Sequence, residues 1–371
     1  MKVLFDHQIF CTQRYGGFSK YFTSLARALV AMEGVEAKIV APAHINGYLD
    51  SKISGICSFR LPFMARGLNH RVVAIAPVFR SVAGFIKPDV VHETHYILDG
   101  HHVPKSAAIV ATCHDMIVEK GLHMDSDQLN GIRAKRQALE RSDFIICISK
   151  NTQNDLLNLY PQLKDRTVVV HHGVTRVVPS TASGANIPKQ YLLYVGVRAG
   201  YKNFENFLRA FANSTRLRSD LEIVCFGGGR CTPDELKLFA ELAIPVMQIH
   251  FLAGDDAFLA HVYANAAALV YPSAYEGFGM PLTEAMIQGC PVVSSRTSSL
   301  PEVCLDAAEY FDPENLEEMG SAIENVVFNS ARRQELVTAG LQRSTAFTWE
   351  SCASSTLSVY RHARECKDGK A

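Results

Sequence analysis

An α/β chain of two doubly wound domains is what this sequence predicts, and three observations predict it. Short β-rich apolar runs alternate with turns and amphipathic helices along most of the chain, the pattern of a parallel sheet covered by helices on both faces. The length of 371 residues, 48% of them hydrophobic, exceeds one ordinary core and suits two domains of about 150 to 200 residues each. Residues 179–189 (PSTASGANIPK) are rich in Ser, Gly, Pro and Ala without periodicity, so they read as a linker that cuts the chain into near halves.

In the first half the strand signals are 2–6, 36–41, 89–92, 108–112, 144–148 and 167–170, with helices between them such as 19–32, whose Phe22, Leu25, Ala26 and Leu29 share one face. In the second half, strands at 191–195, 221–226, 247–252, 268–271, 291–294 and 308–311 repeat the scheme. Three helical stretches follow, 316–327, 331–347 and 350–365, with no further strand signal. The expected organisation is therefore a first domain 1–178, a linker 179–189, a second domain 190–348 and a C-terminal helix 349–371 that packs back on the first domain. A ligand held at the carboxyl ends of both sets of strands would lie in the cleft between the domains.

Composition excludes several classes. Lys+Arg and Asp+Glu both number 37, so nothing in the net charge calls for a nucleic acid. No run approaches 18 uninterrupted apolar residues, and the start, MKVLFDHQIF, has Asp and His where a secretion signal needs its apolar centre. The expectation is a cytoplasmic protein. The ten cysteines include no C-x-x-C pair, and HETH at 92–95 has its histidines three apart where the helical zinc motif needs four. No metal and no cofactor are expected.

The most informative stretch is 271–295, YPSAYEGFGMPLTEAMIQGCPVVSS: strand, glycine loop, helix and strand in quick succession. Gly277 and Gly279 let backbone N–H groups approach a ligand. Pro281 suits a first helical turn, and the helix start at Leu282 and Thr283 presents N–H groups and a positive dipole end to a phosphate. Glu284 in that turn complements the dipole in any case. Paired with Glu276 on the loop, it suits vicinal hydroxyls of a sugar and a ribose at the two ends of a pyrophosphate. Arg198 and Lys202 follow the first strand of the second half, where a cation reaches a pyrophosphate or stays a solvated loop charge. Gly16 and Gly17 lie between the first strand and first helix, the phosphate-binding place of a doubly wound domain. His114 and Asp115 end an apolar strand, where a histidine is as often structural as active. His101, His102, His171 and His172 read as surface or cleft-rim residues.

EGFGMPLTEAM, with seven residues between its glutamates, followed by GCPVVSS and SSLPEV, resembles the donor-site signature of the family-4 retaining glycosyltransferases of GT-B architecture. YGGFSKYF, ATCHDM, ISKNTQNDL and YVGVRAGYKNF extend the resemblance through most of the chain. It implies two Rossmann-like domains facing across a cleft. The residue matching Glu276 contacts hydroxyls of the transferred sugar, and that matching Glu284 holds the ribose. Backbone around Phe278, Gly279, Met280, Leu282 and Thr283 faces sugar and phosphates, Gly16 and Gly17 approach the donor phosphates, and His114 faces the transferred sugar. Lys202, six residues after Gly196, matches the phosphate-binding lysine. The family arginine directly follows the glycine or directly precedes the lysine, places held here by Val197 and Tyr201, with Arg198 two positions along.

The resemblance further implies transfer of a hexosyl group, mannosyl or similar, from a nucleotide diphosphate sugar to a glycan or lipid-linked saccharide in bacterial surface polysaccharide synthesis. Retention would proceed by front-face attack, with Lys202, Arg198 and a helix end stabilising the leaving phosphate in place of a divalent ion. A nucleotide-sugar epimerase of the same architecture and a non-catalytic nucleotide-sugar-binding subunit are the alternatives, and turnover with and without acceptors separates them. Residues 51–88 contain no Asp or Glu but six cations, Lys52, Arg60, Arg66, Arg71, Arg80 and Lys87, interleaved with Phe59, Phe63, Val78, Phe79 and Phe85. Two readings stand side by side: a peripheral contact with an anionic membrane face, or an apolar cover for the first sheet with solvated cations.

Overall fold

A computed structural model describes residues 1–49, 57–60, 68–122, 128–180, 187–198 and 200–369, with backbone alone at 57–60 and 68–71. The chain forms two compact units: Met1–Gly173 together with Trp349–Ala371, and Val174–Thr348. The division falls before the expected linker. Residues 174–180 belong to the second unit, where the Ser180 N–H donates to the Ala257 carbonyl at 3.0 Å, and 181–186 lie outside the described residues.

In the first unit, β1 (Lys2–Phe5), β2 (Glu36–His44), β3 (Cys57–Arg60), β4 (Val90–Glu93), β5 (Ala108–Cys113), β6 (Phe144–Cys147) and β7 (Thr167–Val169) form a parallel sheet in the order β3-β2-β1-β4-β5-β6-β7. Strands such as FIIC of β6 are buried along their whole length, as strands covered on both faces must be. Phe5, Tyr21, Phe22, Leu25 and Leu29 build the core with Leu357 and Tyr360 of the Trp349–Lys367 helix, which packs on this unit. The Tyr360 hydroxyl lies 2.6 Å from His92 Nδ1, and His92 Nε2 lies 2.8 Å from Thr112 Oγ1, so His92 joins helix to sheet. Burial pushes His92 down to about 3, which keeps it neutral.

The second unit places β8 (Tyr191–Val195), β9 (Glu222–Phe226), β10 (Ile249–Leu252), β11 (Ala268–Tyr271), β12 (Val292–Ser295) and β13 (Ala308–Phe311) in the parallel order β10-β9-β8-β11-β12-β13. Strand order therefore reverses twice in the chain, between β1 and β4 and between β8 and β11. Each reversal sends neighbouring connections to opposite faces and opens a crevice beyond the strand ends.

Several expectations need correction. β2 runs on to His44, with its pairing to β3 shifted between Ala41 and His44 around Pro42, which has no N–H to give the ladder. β3 (CSFR) lacks an apolar run and carries no strand signal. The expected strand at 247–252 begins at Ile249, because Val246–Gln248 forms a 3-10 turn that leaves Met247 exposed. His102 and His172 are buried, whereas His101 is exposed. The Leu68–Ile86 helix buries Val72, Phe79 and Ala83 and leaves Val73, Val78 and Phe85 exposed beside Arg80 and Lys87, so the described part of 51–88 contains both a sheet cover and an outer apolar face. Residues 51–56 and 61–67 lie outside the described residues.

Candidate active site

The reversal in the second unit sets Lys202, past the end of β8, against Glu276, past the end of β11: Lys202 Nζ donates to Glu276 Oε1 at 2.6 Å. The Tyr271 hydroxyl at the end of β11 lies 3.4 Å from the same nitrogen, and the ammonium also stands 5.5 Å from the Tyr271 ring centre. Burial, then the charge of Glu276, raises Tyr271 well above the ordinary phenol value, so its hydroxyl stays protonated. The pair is held from both sides. The Tyr201 carbonyl accepts from Ala274 N (2.7 Å), and Asn203, left-handed at φ 57°, donates to the Pro272 and Pro313 carbonyls at 3.1 and 2.8 Å. On the other side Glu276 N donates to Ser298 Oγ (2.8 Å) and Ser299 Oγ donates to the Glu276 carbonyl (2.9 Å). Asn203, Ser298 and Ser299 are positioning residues that sequence reasoning passed over, although YKN and SSL lie inside the quoted motifs.

The loop continues into the Met280–Ile287 helix. Gly279 caps it at φ 87°, a left-handed conformation that suits glycine, and a Cβ there would also press on Leu300 and Leu282 at 2.9 and 3.0 Å. Phe278 is buried edge-on against Phe347 and anchors the loop (5.5 Å, 89°). Met280 and Pro281 open the first turn, Leu282 fills the core with its N–H donating to the Gly279 carbonyl (3.0 Å), and Thr283 turns its hydroxyl back to the Met280 carbonyl (2.9 Å). Glu284 accepts from the Tyr263 hydroxyl at 3.2 Å.

Arg198 departs from the expectation of a phosphate cation. Nε donates to Glu235 Oε1 (2.6 Å), Nη1 to the Gly227 carbonyl (3.0 Å), and Nη2 to the Gly229 and Arg230 carbonyls (3.2 and 3.0 Å). The guanidinium also stacks over Phe251, 4.7 Å from the ring centre. Gly227, Gly228 and Gly229 are all left-handed, and Arg198 gathers the outward carbonyls of this tight turn. Nothing in residue order distinguishes an arginine that reaches a ligand from one that folds its neighbour's loop.

In the first unit, a Cβ on Gly16 would lie 2.5 Å from Gln13 Cδ, because the Gln13 side chain folds over the start of the Gly17–Val30 helix and accepts from Ser19 N at 3.2 Å. Those atoms are the movable end of Gln13 and the Gly16 backbone is extended at φ 171°, so neither demands glycine here; Gly17 is the first helical residue. His114, just past β5, stacks on Phe18 of that helix (3.9 Å, 15°) with Tyr21 and Phe22 edge-on. Neither of its buried ring nitrogens has a hydrogen-bond partner among the described residues. Burial, then the field of His172, holds its pKa well below the ordinary value, so it presents one donor and one acceptor nitrogen.

Beneath the β1/β4 reversal lies a cluster that the sequence analysis did not anticipate: potential ligand atoms of Asp6, Glu93 and His102, within 4.8 Å of one another. These residues come from just past β1, from the end of β4 and from a later loop, so no local spacing reveals them. The carboxylate oxygens are already engaged, while His102 Nδ1 is buried without a partner among the described residues. Arg141 Nη2 donates to both Glu93 oxygens (2.7 and 2.8 Å), Asp6 accepts from Thr94 N, Thr94 Oγ1 and Gln8 Nε2 (3.0, 2.6 and 2.6 Å), and His102 Nε2 lies 3.1 Å from Asp6. A cation entering here would meet the Arg141 charge, and the donor set fits an ion-pair network better than a metal.

Residues 15–176 match the family described as Glycosyltransferase Family 4, and residues 180–343 match that described as Glycosyl transferases group 1. Sucrose-phosphate synthase from Thermosynechococcus elongatus superposes with a TM-score of 0.79 at 19% identity, covering 97% of this chain and 98% of that one. The chain is a family-4 glycosyltransferase of GT-B architecture. This glycosyltransferase is 28% identical over 242 residues to O-antigen chain mannosyltransferase B of Escherichia coli, a match over 62% of its own chain and 63% of that relative, less than two thirds of the relative's length. It is also 28% identical over 384 residues to a D-inositol 3-phosphate glycosyltransferase of a Nocardioides species, over 94% and 81% of the two chains.

Proposed function

We propose that this glycosyltransferase moves a hexosyl group, mannosyl or similar, from a nucleotide diphosphate sugar to a glycan or lipid-linked saccharide in bacterial surface polysaccharide synthesis, with retention at the anomeric carbon and without a metal. The observation that carries the reading is the Lys202–Glu276 pair across the β8/β11 reversal, beside the N-terminus of the Met280–Ile287 helix. The E. coli O-antigen relative favours mannose and a surface polysaccharide.

In this reading Glu276 accepts hydrogen bonds from hydroxyls of the transferred sugar and keeps Lys202 charged and placed until the donor arrives. The pyrophosphate then shares the ammonium and takes backbone N–H groups around Gly279, Met280 and Thr283, with Phe278 fixing the loop and Leu282, whose own N–H donates to the Gly279 carbonyl, filling the core behind it. Glu284 holds the ribose. As the glycosyl bond breaks, negative charge grows on the departing phosphate, where Lys202 and the helix end stand preorganised and supply what a divalent ion supplies elsewhere. The leaving phosphate oxygen takes the acceptor proton on the same face as the new bond. Gly16 and Gly17 approach the donor phosphates at the start of the Gly17–Val30 helix once the Gln13 side chain, which accepts from Ser19 N there, moves aside, and His114 bonds a hydroxyl of the transferred sugar. Arg198 acts through the Gly227–Arg230 turn.

The test is transfer from GDP-mannose and other nucleotide sugars in the presence of EDTA, read by product stereochemistry. Retained configuration and undiminished rate are expected. Loss in chelator with recovery on magnesium or manganese, or an inverted product, would overturn the respective part. Glu284→Ala should weaken nucleotide diphosphate binding more than it slows the bound enzyme.

A peripheral membrane contact is proposed for the outer face of the Leu68–Ile86 helix, where Val78 and Phe85, seven residues apart, are exposed beside Arg80 and Lys87. Among the described residues no helix is long and apolar enough to cross a membrane. Vesicle sedimentation should require anionic lipid, fall with salt and weaken in Phe85→Ser. Equal binding to neutral vesicles would return this face to a structural role.

A further inference from the structure

Tyr15 is 59% exposed, and one side of its ring is packed against its neighbours. It meets Tyr48 edge to face, with centroids 5.3 Å apart at 86°, and lies so close to Gly47 that a Cβ there would run into the ring. The two loops that carry these tyrosines are clamped to each other. Gly47 N donates to the Arg14 carbonyl (2.8 Å), the buried Asn46 donates through Nδ2 to the Gln13 carbonyl (2.7 Å), and Asn46 Oδ1 accepts from Tyr48 N (2.9 Å). The Arg14 guanidinium stands 5.9 Å from the Tyr15 ring centre. A large aromatic surface left in water while its backbone and one side are fixed is preorganised for a partner, because little side-chain entropy remains to be lost on contact.

Its place in the chain defines the partner. Tyr15 precedes Gly16 and Gly17, and Phe18, three residues on and so at most about 11 Å away along the backbone, stacks on His114. The tyrosine pair and the His114 ring thus flank the same glycine turn. A pyranose has an apolar C–H face and a rim of hydroxyls, the complement of a tyrosine face bordered by a phenol and a guanidinium. Resting on the glycosyl-transfer reading, we propose that Tyr15 and Tyr48 form a stacking subsite for a neutral sugar unit of the saccharide acceptor, one or more units away from the reacting hydroxyl.

The full chain is titrated with mannotriose as probe and followed by saturation transfer to the sugar C–H protons, in parallel with GDP and UDP binding. Mannotriose should bind the parent. Tyr15→Ala should weaken it about tenfold, the scale of one lost aromatic contact of about 1.4 kcal/mol, and Tyr15→Phe should stay within about twofold because the ring face is kept. Nucleotide affinity should be the same in all three. The proposal is overturned if mannotriose does not bind the parent, if Tyr15→Ala binds it as the parent does, if Tyr15→Phe loses as much as Tyr15→Ala, or if Tyr15→Ala weakens nucleotide binding equally. Failure of both nucleotides to bind the parent would count against the glycosyl-transfer reading, and the sugar titration still judges the subsite.

Discussion

At the β1/β4 reversal of the first unit, Asp6, Glu93, His102 and Arg141 face one another in the interior, with Gln8 and Thr94 taking up the remaining oxygens. At the β8/β11 reversal of the second unit stands the Lys202–Glu276 pair, its side chains 15% and 10% exposed and bordered by the Tyr271 hydroxyl. The topology is the same, and each crevice is a potential ligand site. In the first the protein supplies both the anions and the cations, and the crevice becomes part of the core. In the second one cation is shared with one carboxylate at the edge of solvent, so an arriving phosphate can take over part of its charge without uncovering a buried ion. Whether a reversal binds ligand or holds the fold together depends on how completely its polar groups satisfy one another.

The largest effect expected is on the second reversal. Lys202→Ala should lower transfer by about 10²–10³-fold in kcat, the scale of one lost preorganised charge contact, while leaving unfolding of the first unit unchanged. A kcat within threefold of the parent would break the comparison. Arg141→Ala does the converse: it takes from Glu93 the nitrogen that donates to both its oxygens and, at a pH above 7 where Glu93 is ionised, should cost about 3 kcal/mol of stability in urea unfolding, as removing one member of a buried ion pair does.

A smaller loss, about 1–2 kcal/mol, is expected for Arg198→Lys, since an ammonium cannot span Glu235 and three carbonyls at once. Its kcat should fall far less than that of Lys202→Ala; an equal fall would place Arg198 on the phosphate after all.

The gentlest probe is pH. Burial pushes Glu93 up to about 7 from 4.5, with Arg141 and His102 pulling the other way, so the folded state keeps a proton that the unfolded chain releases. Its contribution to stability therefore falls as pH rises from about 4.5 to 7. Glu93→Gln should remove that fall from the urea midpoint. Asp6 has the opposite sign: burial opposes its charge, but His102, His7 and Thr94 outweigh burial and lower its pKa, so its contribution is lost only in acid below its ordinary value of 3.8. An unchanged slope between pH 4.5 and 7 in Glu93→Gln would show that Glu93 is ionised throughout.

Much of this was legible in residue order, because strands, glycine turns and first-turn signals are local. The apolar runs at 191–195 and 268–271 are β8 and β11 with those bounds, and Gly279 and Pro281 mark a helix start that forms at Met280. Placing Lys202 and Glu276 each after a strand end also needed only local pattern, although their meeting at 2.6 Å required knowing that β8 and β11 are neighbours.

By itself, then, the sequence determined the alternation of strands and helices, the glycine loop with its two glutamates and the family to which they belong, since each is written in adjacent residues whose backbone preferences and periodicity act over a few positions. Tertiary structure alone decided the rest. It turned Arg198 into its neighbour's glycine turn, buried His102 and His172, and split the Leu68–Ile86 helix into an inner and an outer face. It also gathered Asp6, Glu93, His102 and Arg141 from four separate segments into one network. The physical reason is that burial and ion pairing depend on which strands become neighbours, and in a parallel sheet those neighbours are brought together by crossovers whose partners lie tens of residues apart.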